Sequence, residues 1–143
     1  MIGLKIDKSM FFDTAKVRRA VSDGTRKVLS RFGAFVRTAA RHSIRKRKAI
    51  SQPGQPPSSH VGLLRKLIYF GYDANRRSVV IGPTPLRGTS EAPPLLEYGG
   101  RARRKARRGK AVQATYRARP FMGPAFEAEK KKLPAMWASS VSK

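Results

Sequence analysis

The residues of this 143-residue chain best suited to chemistry are its cations, which concentrate in two short segments. Residues 101–110 carry seven Lys or Arg side chains, and residues 41–48 carry five. Such side chains contact phosphates without reading base sequence, and they release counterions from nucleic acid as they bind. The predicted DNA- or phosphate-facing residues are Arg101, Arg103, Arg104, Lys105, Arg107, Arg108, Lys110, Arg41, Arg45, Lys46, Arg47 and Lys48.

Both segments have other interpretations. Residues 101–110 could pair with acidic patches on a neighbouring protein, or form a solvated loop without a specific partner. The cations of 41–48 could serve only to complement the negative end of a helix dipole. Arg41, Arg45 and Lys48 are spaced to share one helical face. No aromatic residue interrupts 101–110, which argues against base stacking.

The charge balance is extreme. Lys and Arg total 32 against 8 acids, giving a formal net charge of +24 and a pI near 11.7. No acid occurs from residue 24 through 72 or from 98 through 126, so the positive field is broad and favours sequence-independent binding. Still, 40% of the residues are hydrophobic, which predicts a folded protein rather than a disordered one.

The sequence contains no catalytic constellation. It lacks a Walker-type loop, a cysteine nucleophile and a close pair of acids. Glu97 is expected to pair with an Arg within or between subunits. His42 and His60 lie in unlike surroundings, and the absence of cysteine excludes thiolate ligands. We therefore expect a non-enzyme without metal or cofactor.

Nothing in the sequence indicates a membrane protein. No run approaches the roughly 20 apolar residues that span a bilayer, and the first residues become charged too soon for a signal peptide. Synthesis and use in the cytoplasm, or in a particle assembled there, are expected.

The elements that must position the cations follow from periodicity. Apolar residues at helical steps predict a long helix over residues 12–48, with Asp23-Gly24 as a plausible break because glycine weakens a helix. Residues 49–60 form a Pro-rich loop. Alternation at 2–6 suggests a short strand or an ordered lead-in. The helical stripe comprises Val17, Val21, Val28, Phe32, Phe35, Val36 and Ala39.

Residues 61–118 predict a hairpin-based sheet. A helical turn at 62–64 precedes a hairpin of residues 66–72 with 78–82, joined by turn residues 73–77. After a Pro- and Gly-rich loop at 83–94, a helical turn at 95–98 ends at Gly99 in the left-handed conformation. The basic loop 101–110 and another strand at 112–117 follow.

Residues 119–143 predict a C-terminal helix, opened by Pro124 at its first position and kinked or ended by Pro134. The complete prediction is one domain, 1–143, of the α+β class: a long N-terminal helix packed on a small antiparallel sheet, with a C-terminal helix. A subunit or partner interface is predicted at Leu95, Leu96, Glu97, Tyr98, Phe121, Met122, Phe126 and Trp137, with the core as the default location for the apolar residues from 121 onward.

Five motifs in a fixed order resemble the tail-completion proteins of long-tailed bacteriophages, a family also called neck, head–tail joining or minor tail component. They are the prolines of 53–57, Gly-Leu-Leu-Arg at 62–65, Val-Val-Ile-Gly at 79–82, Leu-Leu-Glu-Tyr-Gly at 95–99 and Arg-Pro-Phe-Met-Gly-Pro-Ala at 119–125. The chain departs from the family in its high charge. It also has Gly100 and the basic run where many relatives have Thr and a short loop.

The resemblance implies a structural virion protein of the neck, made in the host bacterial cytoplasm. Similar proteins form a homo-oligomeric ring, commonly hexameric, between the head-side adaptor on the portal and the tail terminator or tail tube. Packaged double-stranded DNA passes through the lumen. Two alternatives remain: a free basic nucleic-acid-binding protein of ribosomal or nucleoid type, and a different virion protein such as a tail terminator.

Overall fold

The computed structural model describes residues 13–85, 92–105 and 109–140. The α+β class is confirmed, but the strands form two separate two-stranded sheets instead of one. The strand or lead-in expected at residues 2–6 lies outside the described part. In chain order the elements are helices α1 (Thr14–Ser43) and α2 (Leu63–Lys66), strands β1 (Ile68–Asp73) and β2 (Ser78–Pro83), helix α3 (Ala92–Tyr98), strands β3 (Gly100–Lys105) and β4 (Ala111–Tyr116), and helices α4 (Met122–Lys130) and α5 (Leu133–Ala138).

Helix α1 is unbroken over 30 residues, about 45 Å at 1.5 Å per residue. Asp13 caps it, since its side chain accepts a hydrogen bond from the Lys16 amide at 3.0 Å. The break considered at Asp23-Gly24 does not occur. Gly24 is buried, and a Cβ at this position would lie 3.4 Å from the Ser140 carbonyl oxygen. Glycine in a helix costs only about 1 kcal/mol relative to alanine. The helix therefore continues through Gly24, where it packs against the C-terminal segment.

Helix α1 ends at Ser43 rather than near residue 48. Ile44 adopts an extended conformation with φ −80° and ψ 109°, and its side chain is fully buried. Burying such a side chain contributes about 1.5–3 kcal/mol, more than the helix propensity of any one following residue. Entry of Ile44 into the core therefore ends the helix, and Arg45 then forms an isolated parallel bridge with Ser58.

The predicted first hairpin is confirmed, as strands β1 and β2 pair antiparallel over six residues. The Asp73 side chain accepts hydrogen bonds from the amides of Asn75 and Arg76 at 2.9 and 3.2 Å, which is the expected turn chemistry. The predicted helical turn before the hairpin is α2, and it includes Lys66, which the sequence had placed in the strand.

The core lies between α1, the first hairpin and α4. Gly33 permits close approach of α1 to the sheet, because a Cβ at this position would lie 2.8 Å from side-chain atoms of Phe70 and Val79. Helix α1 contributes core side chains at every fourth position, the spacing of one helical face. The main buried cluster comprises Phe32, Val36, Ala40, Ile44, Leu64, Ile68, Phe121 and Ala125.

The N-terminal part of α1 extends beyond this core. Residues 14–23, which we call the α1 overhang, are all exposed and span about 15 Å. Val17 and Val21, predicted members of the helical stripe, are 43% and 51% exposed there. The apolar stripe of α1 therefore continues past the core that the described residues form around it.

The segment before the second hairpin differs partly from the predicted loop at 83–94. Helix α3 begins at Ala92, and Pro93 and Pro94 occupy its first turn, where proline's missing N–H is tolerated. Residues 86–91 lie outside the described part. Gly99 ends α3 with φ +73°, and its amide donates to the Leu95 carbonyl at 2.9 Å. This confirms the predicted left-handed helix end.

The C-terminal region contains two short helices instead of one. Helix α4 begins at Met122, so Pro124 is its third residue and not its first. It ends at Lys130, and α5 begins after two intervening residues, with Pro134 in its first turn. The predicted interruption near Pro134 is thus confirmed, while Trp137 belongs to a separate helix.

Candidate nucleic-acid interface

The basic segment 101–110 is not simply a loop. Its first five residues belong to β3, which pairs with β4 over six residues, Gly100 opposite Tyr116 and Lys105 opposite Ala111. The strand predicted at 112–117 is confirmed as β4, displaced by one residue. Residues 106–108, which include Arg107 and Arg108, lie outside the described part. The cations of β3 are therefore carried on a regular extended backbone.

The β3–β4 hairpin has two chemically different faces, because side chains alternate along a strand. Ala102, Ala114 and Tyr116 lie half-buried on one face, together with Arg104 and Val112 toward the far end. The other face, which we call the basic face, carries exposed polar side chains. Its polar members with described side chains are Arg101, Arg103, Gln113 and Thr115, and the small Ala111 lies at the far end of this face.

The three arginines of β3 have no anionic partner in the described part of the chain. Arg101, Arg103 and Arg104 are exposed, and the three ion pairs found there join other residues. Neighbouring like charges on one strand repel each other, so an approaching polyanion would relieve repulsion as well as form new contacts. The three ion pairs are Asp73–Arg76, Glu127–Lys130 and Glu129–Lys132.

The cations of 41–48 do not share one helical face, which corrects the prediction. Only Arg41 lies in α1; Arg45, Lys46, Arg47 and Lys48 follow its end and are exposed. They border the Pro-rich loop instead. The Ser59 amide donates to the Arg45 carbonyl at 3.0 Å, and the Arg47 Nε donates to the Ser58 hydroxyl at 3.0 Å.

The Pro-rich loop is anchored to the rest of the chain by further hydrogen bonds. The Gly54 amide donates to the Ala118 carbonyl at 2.9 Å, and the Arg119 Nε donates to the Ser51 carbonyl at 3.0 Å. The loop is therefore held against both the α1 end and the segment after β4. Arg119 has a structural role that its place in a basic sequence did not reveal.

The predicted interface residues divide by exposure. Phe121 is 1% exposed and belongs to the core, so it is unavailable as a contact surface. Phe126 is 39% exposed and packs edge-to-face on Phe32, with ring centroids 5.6 Å apart. Tyr98 at 82% and Trp137 at 40% are accessible. The remaining apolar members, Leu95, Leu96 and Met122, are half-buried.

Within the protomer, Glu97 binds backbone amides, and no Arg of the described residues pairs with it. Pairing between subunits stays a prediction. One carboxylate oxygen accepts hydrogen bonds from the amides of Phe121 and Met122 at 2.9 and 3.0 Å, and the other accepts from Gly123 at 2.7 Å. These amides form the N-terminal end of α4, where a negative charge complements the helix dipole. Glu97 thereby joins two sequence motifs separated by about 25 residues, a contact that spacing alone did not predict.

Another cation of the broad positive field also has a structural partner. The Arg37 Nε donates to the Ile68 carbonyl at 2.9 Å, and its guanidinium lies 5.9 Å from the Tyr69 ring centroid. Arg37 thus connects α1 with β1. Its position on the helix beside the core-facing stripe was the only sequence signal for this role.

The described residues offer neither a metal cluster nor a membrane span. Within the described ranges, no group of three or more metal-ligating side chains is placed to hold an ion. No helix there is long and apolar enough to cross a membrane.

Comparisons of the chain with protein-family models, curated proteins and solved structures find no match. Inference about function therefore depends on the five sequence motifs and on the chemistry of the β3–β4 hairpin.

Proposed function

We propose that this protein is a structural virion component of a tailed-phage neck. Protomers would close into a ring around the DNA channel, between the head-side adaptor on the portal and the tail terminator or tail tube. The basic face of the β3–β4 hairpin would face the DNA. The observation that carries the proposal is this cationic face, which no described acid neutralises, on a hairpin that projects from a folded core.

The chemistry of the basic face suits DNA that must slide. Arg101 and Arg103 contact phosphates irrespective of base sequence, and Gln113 and Thr115 add hydrogen-bonding groups opposite them. No aromatic side chain lies on this face among the described residues, so it offers no stacking platform for single strands. A sequence-independent lining would hold double-stranded DNA without fixing its register.

Exposed apolar side chains support assembly into an oligomer. Val17 and Val21 are exposed on the α1 overhang, and Tyr98 and Trp137 on other helices. A cyclic ring needs one heterologous interface, which joins two different surfaces of the same chain. The overhang and an α3 or α5 surface could supply those two surfaces. DNA in the channel would screen the repulsion between protomers of formal charge +24.

The position of Glu97 supports the resemblance to neck proteins. Two motifs that suggested the family, at 95–99 and 119–125, meet through its carboxylate and the amides that open α4. The motifs thus form one structural unit that fixes the base of the second hairpin relative to α4. A fixed orientation relative to α4 would let every protomer of the ring direct the basic face of its hairpin toward the DNA in the same way.

The first test is the molar mass of the purified protein by light scattering at about 0.5 M salt, where nonspecific nucleic-acid carry-over is suppressed. The measurement is repeated with acidic neck-protein candidates added. A closed oligomer, or a ring formed only with a virion partner, supports the proposal. A monomer that ignores such partners yet binds RNA or DNA contradicts the ring and favours the free nucleic-acid-binding alternative.

The second test addresses the hairpin. The test variant replaces the arginines of β3 with Gln: Arg101 and Arg103 on the basic face and Arg104 on the opposite face. It should lower the slope of log affinity against log salt by about 0.9 for each lost DNA phosphate contact. The matched control replaces Arg26, Lys27 and Arg31 with Gln, three exposed cations of α1 outside the overhang, and removes the same charge. An equal loss in both variants would show that net charge, and not the hairpin, determines binding.

A further inference from the structure

A polar cavity of about 440 Å³ lies where the end of α1 meets the Pro-rich loop, and none of its described lining residues belongs to the β3–β4 hairpin. No carboxylate of the described residues lines it, and no acid occurs in the sequence from 24 through 72. We call it the Arg45–Arg47 cavity. Its lining residues are His42, Ser43, Arg45, Arg47, Gln55 and Pro56.

The cavity is organised before any ligand arrives. The Arg47 Nε is already bonded to the Ser58 hydroxyl at 3.0 Å, which orients the guanidinium and leaves its two terminal NH₂ groups as donors. Backbone pairing of Arg45 with residues 58–59 fixes the main chain from which the Arg45 side chain extends. A site whose groups are already ordered loses less entropy on binding.

The donors of the cavity match an oxyanion. Arg45 and Arg47 provide planar guanidinium groups, which bind phosphate oxygens in a bidentate manner, and Gln55 can donate through its amide. The Ser43 hydroxyl donates to the Ala40 carbonyl at 2.8 Å and is therefore already used. The negative end of the α1 dipole lies nearby, but its roughly half charge is smaller than the two full charges of the guanidiniums.

We propose that the Arg45–Arg47 cavity binds a phosphate group carried by a larger molecule. Its volume lies within the range of about 300–1,000 Å³ typical of small-ligand sites, which leaves room for whatever is attached to the phosphate. The phosphate could belong to a free nucleotide or to a nucleic-acid backbone; the chemistry recognised is the same. This site goes beyond the ring and hairpin function proposed above and does not depend on it.

The primary experiment is calorimetric titration of the full chain with inorganic phosphate in a chloride buffer near 0.1 M. The test variant is Arg45→Gln with Arg47→Gln. The matched control is Arg26→Gln with Lys27→Gln, two exposed cations of α1 outside the overhang, which removes the same charge far along the helix. Wild type and control should show saturable one-to-one binding and a higher melting temperature with phosphate. The test variant should lose at least tenfold in affinity.

Two further variants separate binding from folding. Arg47→Lys keeps the charge but loses the planar guanidinium that binds phosphate in a bidentate manner. Phosphate affinity should therefore fall several-fold, while far-ultraviolet circular dichroism is unchanged. Gln55→Ala alters only an exposed side chain and should weaken binding a few-fold. If the double variant unfolds, these two variants decide the question. Full affinity in both would overturn the proposal.

Equal weakening in the test and control variants, or the absence of saturable phosphate binding by wild type, would also overturn it. Competition distinguishes the two sources of phosphate. A short DNA duplex that displaces inorganic phosphate from the hairpin variant (Arg101, Arg103 and Arg104 to Gln) identifies the nucleic-acid backbone as a ligand of the cavity. Displacement by a nucleotide but not by the duplex identifies a free nucleotide. Phosphate binding that survives loss of ring assembly would separate this site from the neck function.

Discussion

The two hairpins have the same size and opposite environments. Each pairs two six-residue strands in antiparallel register. The β1–β2 hairpin packs on α1 through Phe70, Val79 and the fully buried Ile68, and its exposed cations are confined to the turn. The β3–β4 hairpin makes its main outside contact with α3 and carries cations along a strand.

This difference separates a hairpin packed into the core from the hairpin that we propose contacts DNA. An isolated two-stranded hairpin is at best marginally stable in water, so β1–β2 acquires stability from the helix that covers it. The second hairpin is covered mainly near its base, where Gly100 lies beside Leu95. Its outer part keeps an unshielded cationic surface, at the expense of the burial that would stabilise it. Binding to a polyanion would supply the missing contacts.

The largest expected difference between the two hairpins concerns stability, and it is tested by truncating one apolar side chain in each hairpin. Ile68→Ala in β1 should lower the free energy of unfolding by about 2–5 kcal/mol, because it leaves a cavity in the core. Val112→Ala in β4 is the matched control; since Val112 is 52% exposed, it should change stability by about 0.5 kcal/mol or less. Urea denaturation followed by circular dichroism measures both. Similar losses would show that the second hairpin is as well packed as the first.

Glu97 determines how the base of the second hairpin is attached to α4. Glu97→Ala removes the acceptor of three amide hydrogen bonds and should cost about 1–3 kcal/mol, the range for charged hydrogen bonds and helix caps. The matched acid is Glu127, which is exposed and 3.7 Å from Lys130; its replacement by Ala should cost about 0.5 kcal/mol or less. Thermal denaturation of both variants checks this, and equal costs would contradict the capping role.

Two glycines of α1 test how tightly the helix packs on the first hairpin, because Gly33 faces that hairpin and Gly24 does not. Gly33→Ala forces a methyl against Phe70 and Val79, and overpacking of about 1–3 kcal/mol should outweigh the gain of about 1 kcal/mol in helix propensity. Gly24→Ala meets only an ordinary contact at 3.4 Å and should be neutral or stabilising. The denaturation midpoint of Gly33→Ala should therefore fall, while that of Gly24→Ala should stay unchanged or rise. A stabilising Gly33→Ala would mean that the first hairpin is loosely packed.

The parts of the fold that local chemistry determines were predictable from sequence. Helical periodicity gave α1 its register, Asp73 specified the first turn and Gly99 specified the end of α3. The end of α1 was not predictable, because the cations after Ser43 are compatible with a helix. Only the tertiary demand to bury Ile44 ends it.

The candidate site was predictable in composition but not in geometry. Charge marked 101–110 as a binding segment, and the alternation Arg101-Ala102-Arg103 was a period-two signal for β3 that the density of charge obscured. The partners of Glu97 and the Arg45–Arg47 cavity depend on contacts between distant segments. No spacing within the sequence encodes those contacts.

The smallest expected difference in stability is between an arginine that makes a structural hydrogen bond and an exposed arginine of the basic face. Arg119→Met removes the hydrogen bond to the Ser51 carbonyl, which joins positions 68 residues apart, and should cost about 0.5–1.5 kcal/mol. Arg103→Met removes an exposed cation without a partner in the described chain, so stability should change by about 0.5 kcal/mol or less. Both variants lose one charge, which controls for the relief of repulsion, and chemical denaturation at matched salt measures the difference. If Arg103→Met were as costly as Arg119→Met, the basic face would be a structural element of the protomer, and the free cationic surface that carries the proposed DNA contact would not exist.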